Sequence, residues 1–196
     1  MPSLPPQTAV ALEVSGAGEN ARRGWAAYAH QIDAFRNDGD ATAQTAFREQ
    51  FGLQFPQDLE VLLGDDFVVA GAQVAGNLHL GARAVTSGFD ADHLVEAWKP
   101  RDSGPHTLPL ARTPNGIAWT AARGVDGTRG TGALGSTATF NYAFPGYADA
   151  SWAFYLNANQ LPRSAVPGVL SQVSTLGVML QPQGDHTRIY ARLTVR

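Results

Sequence analysis

The most constraining feature of this 196-residue chain is the segment His186–Val195 near its end. Ile189, Ala191, Leu193 and Val195 fall on every second position, and Arg188, Tyr190 and Arg192 fall between them. Period-two alternation sends the two sets to opposite faces of a β-strand, whereas a helix would scatter them. One of those faces has to be wet. Leu176–Gln181 and the turn Pro182-Gln183-Gly184-Asp185 precede it, so the spacing predicts a terminal hairpin.

The same signal recurs along the chain. In Thr8–Val14, Val10, Leu12 and Val14 share one side, opposite Ala11 and Glu13. Asp66–Gln73 and Leu78–Val85 read as a hairpin around Gly76-Asn77, and Thr107–Arg112 with Gly116–Arg123 as another around Pro114-Asn115-Gly116. Ser151–Asn157 alternates Trp152, Phe154 and Leu156 against Ala153 and Tyr155. Between the strands lie helical patterns. Trp25, Tyr28, Ala29, Ile32 and Phe35 share a face of Glu19–Arg36. Shorter helices are predicted over Thr42–Gln50, from Pro56 to Gly64, after an Asp90 N-cap, and over Ala165–Val173. Thr139–Phe144 fits a helical turn or a strand equally, and Gly124–Gly135, with five glycines, reads as a loop.

These elements predict a single α+β domain over residues 1–196, a largely antiparallel sheet with helices packed on one face. The order strand, helix, hairpin occurs near both ends, which is compatible with two pseudo-repeated β-α-β-β halves, 5–123 and 136–196, joined by the Gly-rich loop 124–135.

Composition narrows the function classes. With 44% apolar residues and a net charge of −3 from 14 basic and 17 acidic side chains, the chain is neither disordered nor charged for nucleic acid or an anionic membrane. The basic residues are thirteen arginines and one lysine, Lys99, which marks genome composition before it marks a site. Without cysteine there is no disulfide framework, thiol nucleophile or thiolate metal site. No signal peptide is recognisable in residues 1–30, and no stretch approaches the ~18 uninterrupted apolar residues of a membrane span.

Motifs for catalysis are missing. His30, His79, His93, His106 and His186 form no i, i+4 pair of the zinc-hydrolase kind. Asp90, Asp92 and His93 cluster at one helix start, where carboxylates serve a cation or general-acid site or simply offset the exposed helix amides. Asp65-Asp66 are turn residues before a strand. Gly124–Gly132 lacks the phosphate-loop ending, and Ser15, Ser136 and Ser151 lack a nucleophile elbow. No catalytic, cofactor-binding or metal-binding residue is therefore assigned, and no cofactor is expected. Trp25, Trp98, Trp119 and Trp152 lie on inward faces, where they fill a core or line an apolar cavity. The polar side of the last strand, Arg188, Tyr190 and Arg192, is the candidate partner surface.

Several short motifs carry a resemblance. Leu4-Pro5-Pro6-Gln7-Thr8-Ala9-Val10-Ala11-Leu12-Glu13-Val14, then Phe51-Gly52-Leu53 to Asp58-Leu59 with Leu63-Gly64, then Phe140 with Ala148–Asn157, and finally Leu176-Gly177-Val178 leading to Gly184-Asp185 and the Arg-rich strand span most of the chain. In this order they resemble an actinobacterial extracytoplasmic family, domain of unknown function 3352. The resemblance implies a protein exported behind an N-terminal signal or membrane anchor outside these residues, and it brings no catalytic residues. The expected function is a non-catalytic extracytoplasmic domain that binds a protein or cell-envelope component through a sheet face. A carrier or sensor of an apolar small molecule, held between sheet and helices, is the alternative. A hydrolase or metal-dependent enzyme built on Asp90, Asp92 and His93 is the third.

Overall fold

The computed structural model describes residues 1–36, 45, 48–49, 53–54, 56–74, 76–86, 92–98, 110–120, 133–161, 168 and 171–196. Its strands are β1 (Thr8–Ser15), β2 (Asp66–Val74), β3 (Asn77–Val85), β4 (Leu110–Thr113), β5 (Gly116–Thr120), β6 (Trp152–Asn157), β7 (Val173–Gln183) and β8 (His186–Val195). The described helices are α1 (Ala17–Arg36), α2 (Gln57–Leu63), α3 (Asp92–Trp98) and α4 (Ala138–Ala143). The strands form one open antiparallel sheet in the order β4-β5-β3-β2-β1-β6-β7-β8, so the fold is mixed α+β with the sheet dominant. By contact density the chain divides into Met1–Ser15, Val68–Arg83 and Trp119–Arg196 as one unit, and Gly16–Phe67 with Ala84–Ala118 as the other.

In the first unit, alternation puts Ala11, Ala153, Tyr155 and Met179 on one side of the sheet, where they join Met1, Leu4, Val68, Ala70, Leu134, Phe140, Ala143 and Phe144 in one hydrophobic core. Small residues on the strands leave room for rings from α4 and the turn after it. Phe140 lies 5.0 Å from Phe144, 5.3 Å from Tyr147 and 5.8 Å from Tyr155 between ring centroids, the spacing of tilted and edge-on aromatic pairs. Thr137 starts α4, its Oγ1 accepting the Phe140 N–H at 3.3 Å, and the ambiguous segment is helix through Ala143, with Phe144 as its C-cap. The first residues are fastened to the far end of the Gly-rich region: Leu134 N–H donates to the Leu4 carbonyl at 2.7 Å and Gly135 N–H to that of Pro2 at 2.9 Å. Leu134, within the segment expected to be a loop, is therefore fully buried in a 3₁₀ turn.

Two boundaries differ from expectation because pairing overrides local signals. β7 begins at Val173, which was expected to end a helix, and continues through Pro182 to Gln183. Proline is tolerated there because Ser151 N–H bonds the Leu180 carbonyl, so residues 180 and 182 turn their backbone groups toward β6, whose last pairing is Trp152 with Leu180. Only Gly184 and Asp185 remain in the turn. Most of Thr42–Gln50, Asp90, Gly124–Gly132 and most of Ala165–Val173 lie outside the described residues.

In the second unit, α1 and α2 pack together, with Trp25 buried. Gly18 N–H donates to the Gly64 carbonyl at 2.8 Å, and Arg22 pairs with Glu60 at 3.1 Å. Gly64 closes α2 at φ +61°, and a Cβ there would sit 2.2 Å from the Val85 carbonyl oxygen, so only glycine fits. At the other end of α2, Asp58 Oδ2 accepts the Gln54 N–H at 2.7 Å.

Candidate binding face

The register joins the far side of the sheet into three rows of apolar side chains. Val14, Trp152, Leu180 and Ile189 are successive cross-strand neighbours, as are Leu12, Phe154, Val178 and Ala191, and then Val10, Leu156, Leu176 and Leu193. The third row extends past β1. A Cβ on Gly71 of β2 would point at Val10, Leu80 and Leu78, which places those three side chains on the same face. No charged side chain stands in any of these rows. Apolar cross-strand pairs contribute about 0.2–1 kcal/mol each, so the rows also pin the register. Coverage, however, is incomplete. Leu156 is buried and the other residues of β1, β6 and β7 in these rows are half-buried, whereas Leu78, Leu80, Ile189, Leu193 and Val195 are exposed.

The opposite side of β8 has a different surrounding. Arg192 stands in the row Ala11, Tyr155, Gly177, and Tyr190 in the row Glu13, Ala153, Met179. Arg192 Nη1 donates to the Tyr142 carbonyl at 3.0 Å, and its guanidinium lies 5.2 Å from the Tyr142 ring centroid, tying β8 to α4. Arg188 Nη1 donates to Tyr190 Oη at 2.8 Å and stacks 5.6 Å from that ring, while Tyr190 packs against the core. Arg188, Tyr190 and Arg192 thus share one side of the sheet, with both arginines exposed. Each guanidinium is engaged by a tyrosine of its own chain.

The Asp90, Asp92, His93 cluster is described only in part. The Asp92 carboxylate pairs with Arg112 at 3.4 Å, while Asp90 and the His93 side chain lie outside the described residues. Ser136 Oγ and Ser151 Oγ donate to the carbonyls of Ala133 and Leu180, at 2.7 and 3.3 Å. Among the described residues no three His, Asp or Glu side chains gather in a metal-binding group, and no helix is long and apolar enough to cross a membrane. The face itself was not visible as a unit in the sequence. Alternation showed its strands singly, and only the register aligns them.

Comparison with family models, curated proteins and solved structures finds no match for the chain in any of the three.

Proposed function

We propose that this protein is a non-catalytic binding domain whose working surface is the uncharged face of strands β3, β2, β1, β6, β7 and β8. One observation carries the reading: the apolar rows run on, without a charged residue, to exposed leucine, isoleucine and valine side chains on β3 and β8. An antiparallel sheet that turns one side to water normally carries polar residues there. A contiguous apolar patch on a folded surface marks a place where something else docks. The mutual ring contacts of Phe140, Phe144, Tyr147 and Tyr155 favour a filled core beneath α4 over a ligand cavity, and the Asp92–Arg112 pair favours a structural use of that carboxylate over a catalytic one. The resemblance of the Leu4–Val14 and Phe140–Asn157 segments to the extracytoplasmic family supports an extracytoplasmic setting, and the uncharged face supports a protein as the class of partner.

The test is binding of an environment-sensitive hydrophobic dye to dilute protein. Fluorescence enhancement is expected for the wild type and its loss for Leu80→Glu and Leu193→Glu, with circular dichroism unchanged. Equal enhancement in all three proteins, or none in the wild type, contradicts the assignment.

The sheet order also supports a duplicated origin. Outward from the β1–β6 junction, β2 and β3 lie on one side and β7 and β8 on the other, so the two sets of a strand and a following hairpin occupy equivalent places. We propose that these sets are the two pseudo-repeated halves expected from the order of elements.

A further inference from the structure

We infer that the occupant of the uncharged sheet face is a second copy of this chain, packed sheet on sheet across a two-fold axis. The inference rests on the reading of that face as the working surface and adds the partner. Its first support is area. Leu78, Leu80, Ile189, Leu193 and Val195 are exposed by 36, 53, 69, 52 and 68%. These five residues alone offer roughly 400–500 Å², within the about 300–600 Å² that the largest apolar patch of a monomer leaves open. The half-buried row residues between them bring the face toward the ~800 Å² per partner that a stable specific interface buries.

Charge decides between occupants. A lipid surface or an anionic headgroup calls for lysine or arginine on or around the apolar face. Here Arg188 and Arg192 project from the other side of the sheet and are held by Tyr190 and Tyr142, and the net charge is −3. A face whose described residues carry no charge is instead complementary to itself. A two-fold contact sets one patch against its own copy, with no like charges brought together and no charge desolvated. Side chains from two such sheets interdigitate at about 10 Å separation, the construction of a β-sandwich core. The exposed residues sit on β3 and on β8, the two outer strands of this part of the sheet, so one sheet laid across the face covers both.

The experiment is sedimentation equilibrium over a concentration series, with dye fluorescence read on the same samples. One chain weighs 20.8 kDa, and the expected result is a shift to twice that mass in the micromolar range, with dye enhancement per chain falling as the dimer forms. Ile189→Glu on β8 and Leu80→Glu on β3 each weaken the dimer tenfold or more and leave circular dichroism unchanged. Because the chain has no cysteine, Ala191→Cys on the face is captured as a dimer by a short bismaleimide, and Ala138→Cys on α4 is not. A dimer that persists in both glutamate variants overturns the inference, as does cross-linking through Ala138→Cys alone. A wild type that stays monomeric yet binds dye in a Leu193→Glu-sensitive way, or that floats with neutral phospholipid vesicles, overturns the second copy and leaves the working face standing. A monomer that does neither overturns both.

Discussion

Gly177 on β7 and Ala143 at the end of α4 approach so closely that a Cβ on residue 177 would lie 2.7 Å from the Ala143 Cβ and 2.9 Å from its carbonyl oxygen. The helix is seated on the sheet at this point, and the neighbouring pair in the same row, Gly177 with Arg192, sets where the guanidinium meets Tyr142. Overpacking of a close contact against backbone costs about 1–3 kcal/mol. Gly177→Ala is therefore expected to lower the unfolding free energy by an amount in that range, read as a lower urea midpoint at unchanged slope. An unchanged midpoint contradicts this seating.

Phe140 is the hub of the aromatic cluster, in ring contact with Phe144, Tyr147 and Tyr155. Truncating a buried phenylalanine costs about 3–5 kcal/mol through lost burial and the cavity left behind. Phe140→Ala is expected to fall in that range in chemical denaturation, whereas truncating Tyr142, exposed on the same helix, costs far less. Similar losses at the two positions would contradict the placement of the core.

Thr137 provides the cap that makes a six-residue helix possible. Removing such a cap costs about 1 kcal/mol. Thr137→Ala is expected to show that loss, and Thr137→Ser to retain most of the stability, both read from denaturation midpoints.

Arg192 holds β8 to α4 through one hydrogen bond and one ring contact, both near solvent. A cation–π contact at an exposed site is worth about 0.5–1 kcal/mol. Arg192→Ala should lose about that much and Arg192→Lys should recover only part, because an ammonium does not stack as a planar guanidinium does. Since Arg188 and Arg192 stand on the side opposite the apolar rows, alanine at both positions leaves the monomer–dimer equilibrium unchanged in sedimentation. A tenfold shift there would return the partner surface to the polar side of β8.

Much of this fold was legible in local patterns. The alternations of Thr8–Val14, Ser151–Asn157 and His186–Val195, the hairpin at Gly76-Asn77 and the helix ending at Arg36 all depend on neighbours a few residues apart, and they reappear as β1, β6, β8, the β2–β3 hairpin and α1. What local pattern does not hold is coverage. On β1 the larger Val10, Leu12 and Val14 are only half-buried while Ala9 and Ala11 are fully buried, because α4 and the first residues settle on the small-residue side. That choice is made by contacts such as Leu134 with Leu4 and the Met1 α-amine donating to Tyr147 Oη at 2.9 Å, more than a hundred residues apart in sequence. The same contacts determine that α4 lies on the side of β8 that carries Arg188, Tyr190 and Arg192. The candidate face was hidden for the same reason, since its rows exist only once the register aligns β1, β6, β7 and β8.

The most direct measurement is a dilution series of methyl-resolved NMR spectra. If the uncharged face is where a second copy docks, the methyl signals of Leu78, Leu80, Ile189, Leu193 and Val195 shift together with concentration, while those of the fully buried Leu4 and Leu134 stay fixed. Concentration-independent signals from those five residues, or shifts confined to another surface, would contradict the account.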